Sequence, residues 1–252
     1  MLSKIIKAGI VLASVGLIFI STPTKATSWV FVPTQASVSY VAPVIESQTE
    51  GVVDNAGSYD IPYPAGIVAG DLLLLITAMD GNDSLESRSG WLGYTPSIDG
   101  TNTATLYVDV KIANGTETGN LTLTLSSSER GESVMFRITG HDPSNYIGRS
   151  YDNFVYSGTS IGYYPNATTV PNTLVLAVTM SGNGGRTATF DTGVTDLYNN
   201  NGTPGGTGTG TASLHVGSLV KETTGSVSLG NTTIDTASSI TSTVLHIIPN
   251  GT

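Results

Sequence analysis

The chain has 252 residues, 30 of them glycine, with 12% charged residues, no cysteine and a formal net charge of −9. The missing cysteine excludes disulfides, thiolate metal centres and thiol nucleophiles, and the acidic balance is unsuited to phosphate backbones or anionic lipid. A hydrophobic fraction of 39% is enough to fill a core, while abundant Ser, Thr and Gly and few helix-forming charged residues favour strands and turns.

The first segment is basic at Lys4 and Lys7, then apolar and uncharged from Ala8 to Ile20, then polar with small residues from Ser21 to Ala26. That is the layout of a secretory signal peptide over residues 1–26, and the apolar run is short for a bilayer span. The expected location is therefore extracellular or at the cell surface. Trp29-Val30-Phe31-Val32 and Val38-Ser39-Tyr40-Val41 follow as strand-prone pieces separated by Pro33. The plain expectation is a first edge strand. The sharper one makes Trp29, Phe31, Val38 and Tyr40 a donor strand that completes a neighbouring subunit's sheet.

From there on, short apolar or alternating runs are separated by turn clusters, which predicts an all-β fold of antiparallel sandwich type, jelly-roll-like or immunoglobulin-like. The runs begin at Tyr59-Ile61, Leu72-Ile76, Gly90-Tyr94, Thr105-Val110, Leu121-Leu125 and Val134-Ile138. Leu72 to Ile76 is apolar throughout and predicts a central strand covered on both faces. Leu121 to Leu125 alternates strictly, which predicts a buried leucine face and a solvated threonine face. No run carries a sustained helical period.

The second half repeats the first. Pro64 to Met79 aligns without gaps with Pro165 to Met180, matching Leu73 to Leu174 and Met79 to Met180. Thr118 to Leu123 parallels Thr224 to Leu229, and Met135 to Ile138 parallels Val244 to Ile247. Three collinear blocks predict two tandem domains, 27–143 and 144–252, with the boundary near Asp142-Pro143-Ser144-Asn145. Asn199 to Gly210 reads as a long Gly-rich loop.

Chemistry-bearing patterns are sparse. Gly158-Thr159-Ser160-Ile161-Gly162 matches G-x-S-x-G, and Asp191 or Asp196 followed by His215 or His246 keeps the chain order of α/β-hydrolases. The mechanism needs Ser160 on a strand-to-helix elbow, whereas Tyr163-Tyr164-Pro165 opens no helix, so no enzyme is expected. Asp80, Asn82 and Asp83 are weak calcium candidates without the full ligand spacing of a calcium loop; apart from them no cofactor is expected. Trp91 with Tyr94, and Tyr163 with Tyr164, are aromatic pairs of the kind that stack on sugar rings, although the adjacent tyrosines of the second pair would point to opposite faces of a strand. Asn-x-Ser/Thr sequons place candidate glycan attachment at Asn82, Asn114, Asn120, Asn166, Asn201, Asn231 and Asn250.

Ala69-Gly70-Asp71-Leu72-Leu73-Leu74, Gly90-Trp91, Tyr107 to Ala113, Ser126-Ser127-Ser128-Glu129-Arg130 and Arg137-Ile138-Thr139-Gly140 together resemble a module of virion structural proteins of tailed phages, many of them marine. Such proteins have a weaker second copy, as here, and a proline-containing end like Ile248-Pro249. The resemblance spans residues 50–250. It implies tail-fibre, decoration or host-contact work at a virion surface and supplies no catalytic residue. The Met1 to Ala26 segment departs from that pattern, because tailed-phage virion proteins assemble in the cytoplasm. It points instead to an exported cellular homologue, such as a surface fibre or adhesin, or to a virus with membrane-linked assembly. The function expected on these grounds is non-enzymatic: a structural or adhesive surface protein that assembles with itself or with other surface or virion proteins. The alternative is a secreted carbohydrate-binding module, with glycans as partners, and nucleic acid is excluded.

Overall fold

The apolar runs fold as antiparallel strands in a computed structural model, which describes residues 38–81, 84–86, 89–94, 97–98, 104–149, 152–164, 166–200 and 209–251. The signal segment, Trp29 and Phe31 lie outside the described residues. The first half supplies β1 (Val44–Pro62), β2 (Leu72–Asp80), β3 (Leu92–Gly93), β4 (Ser97–Ile98), β5 (Ala104–Ile112) and β6 (Asn120–Thr139). They form one sheet in the order β1-β6-β2-β5-β3, with β4 also on β5. The second half supplies β7 (Ile147–Arg149), β8 (Asn153–Gly162), β9 (Asn166–Thr168), β10 (Thr173–Asn183), β11 (Ala188–Phe190), β12 (Thr195–Asn200), β13 (Thr209–Lys221), β14 (Gly225–Val227) and β15 (Asn231–Ile247). Here the order is β11-β15-β10-β13-β12, with β7 and β8 also on β15, and β9 and β14 pair as a separate ribbon.

As its unbroken apolar run predicts, β2 lies between β6 and β5, and Leu72 to Ile76 are fully buried. Successive side chains leave a strand on opposite faces. Leu72, Leu74, Ile76 and Ala78 therefore enter one cluster, while Leu75 and Met79 enter another. The first cluster also holds Leu174, Leu176, Val178 and Met180 of β10 and Ala212, Leu214 and Val216 of β13. The two sheets thus meet face to face across the largest core.

The opposite face of β2 is covered by the first half's own chain. β1 pairs with β6 in two stretches, Val44–Val53 with Gly131–Thr139 and Ser58–Pro62 with Asn120–Thr124, separated by register shifts around Ala56. At those bulges the ribbon bends and brings Ile61, Leu123 and Leu125 over Leu75, Met79 and Met135. Two glycines permit it. A Cβ on Gly51 would lie 2.9 Å from the Ile61 Cβ, and one on Gly131 would lie 2.2 Å from the Ala78 carbonyl oxygen. The Leu121 to Leu125 alternation is realised here, with Leu123 and Leu125 buried and Thr122 and Thr124 exposed.

The second half repeats this plan, β8, β15, β10, β13 and β12 taking the places of β1, β6, β2, β5 and β3. Its β8–β15 pairing is also bulged, around Ser238. Even a buried polar device recurs. The Tyr59 hydroxyl bonds Ser133, which bonds Thr77 at 2.8 Å, and the Tyr163 hydroxyl bonds Thr179 at 2.9 Å and also Thr232.

The ungapped alignment of Pro64–Met79 with Pro165–Met180 is one residue out of register, however. Leu72 pairs with Ile138 and Ile112, and Leu174 with Ile247 and Val220, so Leu72 rather than Leu73 is the counterpart of Leu174. A slip of one residue would put every side chain of the strand on the wrong face. The compared runs are apolar on both faces, so composition alone does not reveal it. The expected boundary near Asp142–Asn145 is where the chain passes from one sheet to the other. Residues on both sides of it belong to one compact unit, Tyr40–Gly251. Each half is double-layered, and the largest core lies between the halves.

A truncation in this shared core should be felt in both halves. Leu176→Ala removes a fully buried side chain and is expected to cost about 2–5 kcal/mol. Urea unfolding of a Trp29→Phe background, followed by the fluorescence of Trp91 in the first half, should shift together with the circular dichroism. A fluorescence transition left in place by Leu176→Ala would show that the halves unfold independently.

Candidate functional site

The residues singled out from the sequence are dispersed. Tyr40 forms an antiparallel bridge with Gly251, and its carbonyl accepts from Asn172 Nδ2 at 2.6 Å, so it is engaged by its own chain. Val38 is exposed. Asp80 ends β2 opposite Ala104, while Asn82 and Asp83 lie outside the described residues. Among the described residues no three His, Asp or Glu side chains gather as metal ligands would. Ser160 lies within β8 opposite Thr233, not on an elbow. His215 Nδ1 bonds Asn199 Oδ1 and His246 Nε2 bonds Asn166 Oδ1, each at 2.9 Å, and neither meets Ser160. Of the sequons, Asn114, Asn120, Asn231 and Asn250 are exposed, Asn166 is half-buried against His246, and Asn82 and Asn201 lie outside the described residues.

Three of the motif pieces behind the virion-protein resemblance converge at one end of the first sheet. Arg137 Nε donates to Asp71 Oδ2 at 2.6 Å, and both side chains are largely buried. Gly70 N donates to the Ala113 carbonyl at 2.9 Å, and Ala113 N donates to the Asp71 carbonyl at 2.8 Å. Lys111 reaches Glu117 at 2.9 Å, and Glu117 also accepts from the backbone of Asn114 and Gly115. Burial alone would raise the Glu117 pKa, but Lys111 and those amides hold it down at about 2. The A-G-D, K-I-A and R-I-T-G pieces therefore latch β2, β5 and β6 together. In the second half the latch is replaced: Thr173 stands in the ladder position of Asp71 and bonds the Val170 carbonyl, and His246 stands in that of Arg137.

One carboxyl is buried at the seam between the sheets. Glu132 lies on the same face of β6 as Val134 and Phe136 and is fully buried. β12 ends at Asn200, opposite Leu214. The Leu214 amide at that end donates to Glu132 Oε1, and the Tyr198 hydroxyl donates to Oε2 at 3.1 Å. Burial pushes the Glu132 pKa up to about 8 against these two donors, with the Glu50 charge adding to the rise. Outside Tyr198 lies a cleft of about 310 Å³ lined by Gln48, Glu50, Leu197, Tyr198, Asn199 and Asn200. A neutral carboxyl near a cleft suits general acid chemistry, but both oxygens of Glu132 are engaged in joining the halves. The signal in the sequence was an acid on the parity of Val134 and Phe136, two positions before that apolar run.

The open groove with aromatic walls lies elsewhere, on the outer side of the first sheet. It holds about 270 Å³ and is lined by Tyr63, Glu86, Ser89, Trp91, Leu121, Thr122 and Thr124. Trp91 and Tyr63 pack from the side onto the outer cluster of the first sheet, whereas Tyr94 packs against the inter-sheet core. Trp91 and Tyr94 are thus on opposite faces and form no single platform. The other aromatic lining the groove with Trp91 is Tyr63, too distant in sequence for spacing to suggest. Of the second expected pair, Tyr163 buries its hydroxyl between Thr179 and Thr232, while Tyr164 is exposed.

Glu132 and His215 should shape the pH profile of stability from opposite sides. Glu132 has a raised folded pKa, so its contribution is full below the ordinary value of 4.5 and is lost as pH rises through about 8. Burial lowers the His215 pKa from 6.5 to about 4, so its contribution is present above 6.5 and is lost as pH falls toward 4. Glu132→Gln should flatten the alkaline limb of denaturation midpoints measured across pH and leave the acid limb in place. Identical alkaline limbs in the two proteins would contradict the assignment. Tyr198→Phe removes one of the two donors and should cost about 1–3 kcal/mol.

No family model, curated protein or solved structure matches the chain, so the functional reading rests on this geometry and on the sequence.

Proposed function

We propose that this is a non-enzymatic surface protein that acts by assembly or by attachment to another surface, on the exterior of a virion or of a cell. The observation that carries the reading is an exposed aromatic pair on an open strand. Phe154 and Tyr156 lie two residues apart on one face of β8, are 50% and 62% exposed, and meet edge to face at 5.4 Å. Among the described residues β8 pairs only with β15, and no described strand lies on its other edge. An open edge with exposed apolar side chains is a template for strand addition or for docking.

The outer strand of the other sheet is guarded by comparison. β1 carries Glu46, Glu50, Asp54 and Asp60, whereas β8 carries no charged residue, and edge charges disfavour edge-to-edge pairing. Association is thereby directed to the second half. The signal-like Met1 to Ala26 segment supports an exterior location, and the resemblance to phage virion modules supports structural or host-contact work. The donor strand expected at Trp29 and Phe31 would be one supply of the partner strand.

Purified protein lacking residues 1–26 should show ordered filaments in negative-stain microscopy, or attach to virion or cell-surface preparations. The double substitution Phe154→Ser with Tyr156→Ser should abolish either behaviour while costing only about 1–2 kcal/mol of stability, since both side chains are half or more exposed and lose mainly their mutual contact and strand preference. A monodisperse, inert monomer, or association that survives the double substitution, would remove the reading.

A further inference from the structure

We propose that the groove between Tyr63 and Trp91 is a binding site for one neutral pyranose ring of a surface glycan. The inference rests on the reading that the protein works by attachment, and it names the ligand class for a site distinct from β8.

Two half-buried aromatic side chains, Tyr63 and Trp91, share the lining of the groove with the carboxylate of Glu86 and the hydroxyls of Ser89, Thr122 and Thr124. A pyranose presents apolar C–H faces and a rim of hydroxyls that both donate and accept. Aromatic rings meet the first requirement, and carboxylate and hydroxyl oxygens meet the second. Thr122 Oγ1 already donates to Asp60 Oδ1 at 2.6 Å, which leaves its lone pairs to accept from a sugar hydroxyl. At about 270 Å³ the groove is just below the ~300–1,000 Å³ of ordinary small-molecule pockets, so it suits one ring rather than an extended ligand.

The groove is also held in shape. Glu86 N donates to the Thr124 carbonyl at 3.0 Å, Ser126 N donates to the Ser84 carbonyl at 3.1 Å, and Leu85 bridges Leu125. The segment Ser84–Glu86 is thereby zipped onto the start of β6, and Tyr63 N is fixed to the Gly119 carbonyl at 3.0 Å. Binding would need little rearrangement of these walls, which limits the ordering cost.

Comparison of the two repeats separates this site from mere core filling. Leu92 pairs with Val110 and Thr195 with Ser218, and the ladders make Val110 and Ser218 counterparts. The second-half counterpart of Trp91 is therefore Val194, which packs against the outer cluster of its own sheet. A valine satisfies the packing role at this position, so the indole supplies surface that packing does not require.

Charge decides the ligand class further. Among the described residues, the ionisable groups at the hydroxyl side of the groove are Glu86 and, behind Thr122, Asp60. On a chain of net charge −9, sialylated and uronate sugars are repelled, and neutral hexoses or N-acetylhexosamines are accepted.

The test is a glycan array probed with the protein lacking residues 1–26, followed by calorimetric titration with methyl glucoside, galactoside, mannoside and N-acetylglucosamine. Binding to glycans with neutral terminal sugars is expected. Trp91→Val, which installs the residue of the second repeat, should weaken it about tenfold or more, with Glu86→Gln as a second variant that leaves the packing of Trp91 intact and weakens binding less. A silent array, binding confined to sialylated or uronate glycans, or binding unchanged in both variants would overturn the proposal. Phe154→Ser with Tyr156→Ser should leave sugar binding intact, so loss of assembly in that variant and loss of sugar binding in Trp91→Val report on the two proposals separately.

Discussion

A strand that is apolar on both faces has to be covered twice, and β2 is such a strand. Its residues from Leu72 to Ile76 are fully buried, and the burial of each aliphatic side chain contributes about 1.5–3 kcal/mol. One face is covered by the second half of the chain, through β10 and β13. The other is covered by the far ends of β1 and β6, folded back over it. Gly51 and Gly131 lack side chains where that return passes close to Ile61 and to the backbone of β2. The shared core, the doubled layers and the bent ribbon all follow from that one requirement.

The seam carries its exception in Glu132. An acid between two apolar sheets is costly to ionise there, and it persists because the amide of Leu214 and the hydroxyl of Tyr198 meet its two oxygens. Both partners come from the other half of the chain. Glu132 thus ties one half to the other in a specific registration, which apolar packing alone specifies loosely. The cleft outside Tyr198 is lined from both halves, by Gln48 and Glu50 of one and Asn199 and Asn200 of the other.

The two halves share one strand plan, and their outer surfaces differ. The ladder positions of the Asp71–Arg137 pair in the first half hold Thr173 and His246 in the second. Trp91 faces an open groove where Val194 completes a core. The exposed Phe154–Tyr156 pair stands on β8, the second-half counterpart of the acid-lined β1. The inner faces are more constrained, because each packs against the other and a change of volume on one is felt by both.

Much of the fold was legible in the chain itself. The all-β class, the central position of Leu72 to Ile76 and the one-sided burial of Leu121 to Leu125 follow from composition and period, since a side chain's face in a strand is set by its parity. The repeat was legible too, although two-sided apolar runs concealed its true register until the ladders placed Leu72 opposite Ile138. Of the sites, Trp91 was visible as an aromatic in a strand-like run, but the second wall of its groove was not: Tyr63 lines it only because β1 folds back over the sheet. Glu132 was likewise an unremarked acid until β13 crossed β6. The sequence by itself determined which segments are strands and which side chains need cover. Only the tertiary structure decided what covers them, because burial is non-directional and is satisfied equally by any apolar face, whereas bulges, glycines and one carboxyl select which face it is.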